Sequence, residues 1–287
     1  MSLRKSIALF TCLLVASTPA SALNILLTND DGYQHPWIRT LHTVLTTAGH
    51  DVTLVAPAVN QSGQSAALSL DALRNSADAV QKHSEQIYSV KGSPATAALI
   101  GVKEVLKSRP DLIISGINEG ANIGVLSSFS GTVGATVAAL HLMGEPIPAI
   151  AISGNLLDQQ AVADSTENLR HATDISNFMV ALVSRLEQEA KAQKTTILPQ
   201  GIALNVNYPA VVRDQVQGVG IYQHGRNIGV NFSDQGALPT LEESTQTEQD
   251  TAGLRDGFIT IVPIDGDYTA PNWKQVLPED LWKSLNH

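Results

Sequence analysis

The sequence predicts an α/β fold, a Rossmann-like, mostly parallel sheet with helices on both faces and a β-rich carboxyl-terminal arm. Three observations predict it. Short apolar runs ending in turn formers alternate with stretches whose apolar residues recur at helical spacing. The first strand, helix and strand, within residues 24–57, have the length of a βαβ unit, whose strands are parallel. From Pro209 onward the helical periodicity gives way to short β-prone pieces.

Residues 24–27 (N-I-L-L) read as a buried strand that breaks at N-D-D-G, a cluster of turn formers. Asp30 and Asp31 therefore stand at a strand's carboxyl end, the edge where open α/β sheets bind ligands. Adjacent carboxylates there suit a hard divalent cation, Mg²⁺ or Mn²⁺, held through oxygen ligands beside a substrate phosphate. The same residues also make an ordinary Asp-Asp-Gly turn. Residues 36–48 carry apolar side chains at 37, 38, 41, 44, 45 and 48, a helical spacing that Gly49 closes. Residues 51–56 (D-V-T-L-V-A) are the second strand, so the loop at 58–65 (A-V-N-Q-S-G-Q-S) lands on the same sheet edge as the Asp pair.

Residues 71–88 are polar and weakly patterned, an excursion or a short helix; 95–106 is a helix and 110–115 (P-D-L-I-I-S) a strand. Gly116, Gly120 and Gly124, with Asn118 and Asn122 between them, form a third polar loop, in which glycine permits close backbone approach and asparagine offers donors and acceptors. An ordinary Gly/Asn connection has the same composition. Ser130-Gly131-Thr132 opens an apolar helical segment, 133–143, where free N–H groups and hydroxyls suit a phosphate, although Ser130 also serves as a plain N-cap. A strand at 148–153, a long helix at 166–191 and a strand at 202–208 follow. β-prone pieces at 218–223 and 257–264 flank an acidic segment, 233–256, that reads as an extended arm or hairpin, and 278–285 is a last helix.

The amino terminus carries Arg4 and Lys5, a ten-residue apolar run at 7–16 and A-S-A at 20–22. That is the pattern of a secretory signal peptide cleaved after Ala22, and the run is half the roughly 20 residues needed to span a bilayer. The expectation is a signal peptide at 1–22 and one α/β domain at 23–287, exported to the periplasm or beyond, with 209–287 as an arm and oligomerisation segment. Removing 1–22 takes away two basic residues and no acid, leaving 16 Lys and Arg against 27 Asp and Glu. An acidic chain without a basic cluster has no electrostatic footprint for duplex nucleic acid or an anionic membrane. Cys12, the one cysteine, leaves with the signal, which excludes disulfide and thiolate chemistry.

Four loops thus bring a two-carboxylate seat beside amides and hydroxyls, the design for metal-assisted phosphomonoester hydrolysis. No G-x-S-x-G, H-E-x-x-H or G-x-x-x-x-G-K-[ST] pattern is present. The eight histidines show no close-spaced ligand pair; His35 alone adjoins the site, and His141 reads as packed within its helix. A glycosyltransferase reading meets acids that are adjacent rather than spaced by one.

N-D-D-G at 29–32, A-P-x-x-N-Q-S-G at 56–63, S-G-I-N-x-G-x-N-x-G at 115–124, S-G-T-V-G-A at 130–135, L-N-V-N-Y-P at 204–209 and D-G-F-I-T-I-V-P-I at 256–264 resemble the SurE family of metal-dependent 5′/3′-nucleotidases. That resemblance implies one divalent metal ion per subunit on Asp30, Asp31, Ser62 and Asn118. It places Asn60, Asn122, Ser130, Gly131 and Thr132 around the phosphate and gives Asp30 and Asp31 the catalytic role. It also implies nucleoside monophosphates or other small phosphomonoesters as substrates, and a homodimer or tetramer. A broad exported acid phosphatase and a non-catalytic binder on the same fold are the alternatives. The chain departs from the family pattern at His35-Pro36-Trp37, Ala58-Val59, Ser93 and Thr96. Trp37 puts bulk at the mouth of the site, either to stack on a nucleobase or to cover the adjacent helix.

Overall fold

Backbone pairing places β1 (Asn24–Thr28) near the middle of a nine-stranded sheet, parallel to β2 (Asp51–Pro57) on one side and to the fifth strand on the other. The structure is a computed structural model that describes residues 22–226, 228–233, 236–241 and 246–269. The expected signal peptide, up to residue 21, and the expected helix at 278–285 lie outside the described residues.

In chain order the remaining strands are β3 (Val80–Ser84), β4 (Ile87–Val90), β5 (Leu112–Glu119), β6 (Ala149–Gly154), β7 (Ala203–Tyr208), β8 (Gly218–Ile221), β9 (Ile228–Ser233), β10 (Gly236–Leu241) and β11 (Phe258–Ile264). The helices are α1 (Pro36–Thr47), α2 (Leu70–Arg74), α3 (Ser76–Ala79), α4 (Pro94–Ile100), α5 (Gly131–His141), α6 (Thr166–Gln193) and α7 (Asp250–Arg255). The sheet runs β3-β4-β2-β1-β5-β6-β7-β11-β8, with β3 and β11 antiparallel to their neighbours β4 and β7. From β1 the chain builds outward first through β2 and β4, then on the other side through β5, β6 and β7. The β1–β5 boundary is therefore the switch point, where diverging connections leave a crevice at the strands' carboxyl ends.

Alternation along β1 explains the two layers of core. Ile25 and Leu27 face the cluster that includes Trp37, Leu41 and Met179 of α1 and α6, whereas Leu26 faces Ala97, Ala135 and Ala139 of α4 and α5. Small side chains on α5 allow unusually close approach: a Cβ at Gly134 would lie 2.0 Å from the Ser65 carbonyl oxygen, so the loop after β2 rests directly on this helix.

Four expectations are corrected. The segment 71–88, read as an excursion or a short helix, folds into α2, α3 and two further strands, because the short apolar β4 finds the open edge of β2 and the polar β3 pairs with it in turn. The helix expected over 95–106 is α-helical only to Ile100 and continues as a π-helical turn over Gly101–Val105. The pieces read as parts of an arm, β8 and β11, are strands of the main sheet; the hairpin is confined to β9 and β10. Trp37 is fully buried, so of its two readings packing holds and stacking does not, and the bulk expected at the mouth of the site is absent there; its indole N–H donates to the Ala163 carbonyl at 3.1 Å.

Trp37→Ala is expected to cost about 3–5 kcal/mol in urea unfolding, as a large buried side chain leaves a cavity. Trp37→Phe, which loses mainly the Ala163 hydrogen bond, is expected to cost about 1 kcal/mol.

Candidate functional site

At the end of β1 the Asn29 side chain closes the turn that carries the acids. Its Nδ2 donates to the Gly32 carbonyl and its Oδ1 accepts from the Gly32 N–H, each at 3.1 Å, with Gly32 at φ +103°. Asp30 is 2 % exposed; its Oδ1 accepts from the Thr132 hydroxyl at 2.5 Å, and its carbonyl accepts from Gln61 N at 2.7 Å, which ties down the loop after β2. Asp31 accepts from the Glu119 N–H through Oδ2 at 3.2 Å and from the Asn60 amide through Oδ1 at 3.3 Å. The Asn60 Oδ1 accepts from Ser62 N at 2.9 Å, which positions the Ser62 hydroxyl.

The third motif does not begin as a loop. Residues 116–119, expected as turn, belong to β5, whose pairing with β6 shifts between Ser115↔Ala151 and Asn118↔Ser153. That bulge admits one extra residue and re-aims the side chains that follow, which carries Asn118 to the crevice beside Asp30. The Asn118 Nδ2 donates to the Gly120 carbonyl at 2.6 Å, and among the described residues no donor engages its Oδ1.

Behind it, the Gly120–Gly124 backbone is held on all sides. Asn122 N donates to Asn207 Oδ1 at 2.7 Å, and its carbonyl accepts from the Asn205 and Asn207 amides at 2.7 and 3.1 Å. The Asn122 Nδ2 donates to Ser153 Oγ at 2.9 Å. Gly124 N donates to Asp250 Oδ2 at 2.9 Å. Ser130 caps α5, its Oγ accepting from Val133 N at 3.2 Å. Gly131 passes so close to the acid that a Cβ there would lie 2.9 Å from Asp30 Cβ.

Asp30, Ser62, Asn118, Asn122 and Ser130 line one cavity of about 270 Å³, together with Glu119, Leu126 and Phe129. Asp31 and Asn60 brace its rim; Thr132 is fully buried beneath Asp30 and turns its hydroxyl to that carboxylate. A cavity of about 1000 Å³ opens at the opposite edge, by Leu23, Asp111 and Ile202 at the strands' amino ends, away from the switch point. His35 caps α1 and contacts Glu119, whereas His141, expected to be packed, is exposed in the last turn of α5 and donates to the Asp265 carbonyl at 2.8 Å.

Residue-by-residue reading of the sequence missed Glu119, Asn205, Asn207 and Asp250. The asparagines carried a signal, two polar residues at alternate positions of an otherwise apolar strand, which face one side and must find partners when buried. Asp250, in an acidic segment 126 positions from Gly124, carried none.

Burial raises the Asp30 pKa above the usual carboxylate range, opposed by the Thr132 hydroxyl and nearby backbone N–H groups. Asp31 is pushed up to about 7, by burial first and then by the neighbouring Asp30 charge. Two desolvated acids with few cationic partners are a seat for a cation, and the oxygens of Asp30, Asp31, Ser62 and Asn118 form a hard donor set that fits a divalent ion. Among the described residues no group of three His, Cys, Asp or Glu gathers as a soft or acid-rich metal cluster.

The family described as survival protein SurE matches residues 25–231. The chain is 31% identical over 260 residues to a 5′-nucleotidase SurE of Nitratidesulfovibrio vulgaris strain DP4, covering 86% of this chain and 95% of that one. It is 32% identical over 272 residues to the 5′-nucleotidase SurE of Desulfatibacillum aliphaticivorans, covering 91% and 98%. The crystal structure of the SurE protein from Aquifex aeolicus superposes with a TM-score of 0.67 at 26% identity, covering 92% of this chain and 99% of that one.

An acid whose pKa is raised on folding stabilises the protein below its unfolded pKa and ceases to do so as pH rises through the folded value. For Asp31 the window is about pH 4 to 7. In chelator, Asp31→Asn is therefore expected to gain thermal stability relative to wild type between pH 5 and 8, by a few °C. Parallel melting curves across that range would show that the pair is not strained by its charge.

Proposed function

The chain belongs to the SurE family, and we propose that it is a divalent-metal-dependent phosphomonoesterase that hydrolyses nucleoside 5′-monophosphates to nucleoside and phosphate. The observation that carries the reading is the adjacent carboxylates at the β1–β5 switch point, with Asp30 buried and lining one cavity with Asn118, Ser62 and the start of α5, and Asp31 half-buried beside it. Its similarity to 5′-nucleotidases SurE of Nitratidesulfovibrio vulgaris and Desulfatibacillum aliphaticivorans supports the choice of 5′-nucleotides.

Asp30, Asp31, Ser62 and Asn118 would hold the cation, Mg²⁺ or Mn²⁺, one per subunit. Bound there, it supplies Lewis-acid polarisation of the phosphoryl group and of a water nucleophile. The chain's own residues do the rest. The α5 amino terminus, capped by Ser130, turns the positive end of the helix dipole toward the phosphate side of the cavity, while its Gly131 and Thr132 N–H groups hold the Asp30 carboxylate. The Asn122 main chain, locked by Asn205 and Asn207, keeps this wall rigid, so little reorganisation accompanies charge development in the transition state. Thr132 holds the Asp30 carboxylate in one orientation, and Asp30 or Asp31 can accept a proton from the attacking water and pass it to the leaving alcohol.

Export rests on the signal pattern at 1–22, and a dimer or tetramer on the family resemblance; both belong to this proposal. An exported enzyme of this kind meets nucleotides that do not cross a membrane intact.

Phosphate release from residues 23–287 is expected with Mg²⁺ or Mn²⁺ on nucleoside 5′-monophosphates, absent in chelator, and lowered at least about 100-fold in Asp30→Asn. Equal turnover of p-nitrophenyl phosphate would favour a general phosphatase, and no release under any metal from folded protein would leave a non-catalytic binder.

A further inference from the structure

The Glu119 carboxylate has no role in the site so far, yet the residue lines the same cavity as Asp30. It ends β5, and its main-chain N–H is the donor that braces Asp31. Its carboxylate is turned aside: Oε2 lies 3.1 Å from His35 Nε2, with side chains 37% and 15% exposed for Glu119 and His35. The tautomer follows from the helix cap. Trp37 N donates to His35 Nδ1 at 3.4 Å, so Nδ1 is the acceptor and Nε2 carries the hydrogen that it gives to Glu119. Both partners sit on rigid elements, a strand end and a helix cap.

A third ligand for the cation would need this carboxylate to converge with Asp30 and Asp31, and among the described residues no such group of three exists. Unengaged, it would repel a phosphate dianion bound a few ångströms away. A substrate with hydroxyl donors next to its phosphate turns that liability into a contact, since a carboxylate accepts strong hydrogen bonds and Oε1 has no partner among the described residues. Inorganic phosphate and simple aryl phosphates bring no such donors, whereas the ribose of a nucleotide brings two. Leu126 and Phe129, which line the same cavity, add apolar surface, and Phe129 is 65% exposed.

We propose that Glu119, held in place by His35, is a specificity-determining residue that accepts hydrogen bonds from the sugar hydroxyls of the substrate's leaving group. His35 is the positioning residue that fixes its carboxylate. The inference rests on the phosphomonoesterase reading and names the chemistry of the alcohol side of the substrate.

The test compares kcat/KM of the Mn²⁺-loaded protein, residues 23–287, on adenosine 5′-monophosphate, its 2′,3′-dideoxy analogue and p-nitrophenyl phosphate. Wild type is expected to prefer the ribonucleotide over the dideoxy analogue by about tenfold, the scale of one charge-assisted hydrogen bond at a half-exposed site. In Glu119→Ala that ratio should fall to about one, and Glu119→Gln, which keeps one acceptor oxygen but loses the charge, should lower it part of the way and serves where the alanine variant folds poorly. His35→Asn, which keeps a capping side chain, should lower the ratio part of the way. A merely structural role would lower turnover of all three substrates alike and leave the ratio intact, which would overturn the proposal. Metal-dependent turnover with no wild-type preference for the hydroxyls would overturn it while sparing the phosphatase reading; no metal-dependent turnover at all would overturn both.

Discussion

Two carboxylates taken out of water side by side repel each other and lose hydration, and much of the local structure answers that cost. Asp30 and Asp31 receive donors from three separate segments, the Thr132 hydroxyl at the start of α5, the Asn60 amide after β2 and the Glu119 N–H at the end of β5. None of these donors is a full positive charge, so the pair is oriented without being neutralised. That leaves the site electrostatically incomplete in a defined place, which is what a cation-dependent centre needs. The turn held by Asn29, the β5 bulge and the close approach of Gly131 each serve that placement.

A second layer reaches the site from the carboxyl-terminal half. Asn205 and Asn207 on β7 and Asp250 on α7 grip the backbone of the Gly120–Gly124 loop, so residues far along the chain decide the shape of a wall built by earlier ones. Asp250 is fully buried and serves three groups, accepting from Gly124 N and Gly225 N and contacting His224 Nδ1 at 3.0 Å. The chain after Pro209 is thus continuous with the core through β11 and β8 rather than an appendage throughout.

The sequence was most legible where local chemistry and tertiary placement agree. Apolar runs ending in turn formers located β1, β2 and β6 to within a residue or two, and the Asp pair at the end of β1 was visible because N-D-D-G cannot continue a strand. Legibility failed where tertiary pairing overrode local preference. Gly116 and Asn118 read as turn formers, but β6 recruits them into β5 through a bulge. The short β4 becomes a strand because an edge of β2 is open to it, and the polar β3 follows by pairing with β4. Support residues such as Asp250 were hidden because their role depends on a contact between positions 126 apart in the chain, and Trp37 was ambiguous because an aromatic beside a site reads alike whether it packs or stacks.

The central claim is that the Asp30–Asp31 pair seats one divalent cation at the switch point of the sheet. Anomalous diffraction from crystals grown with Mn²⁺ tests it most directly. The account predicts a single peak per chain within about 2.0–2.3 Å of oxygens from Asp30, Asp31 and Asn118. A peak elsewhere, or none at saturating Mn²⁺ with both carboxylates ordered as described, would contradict it.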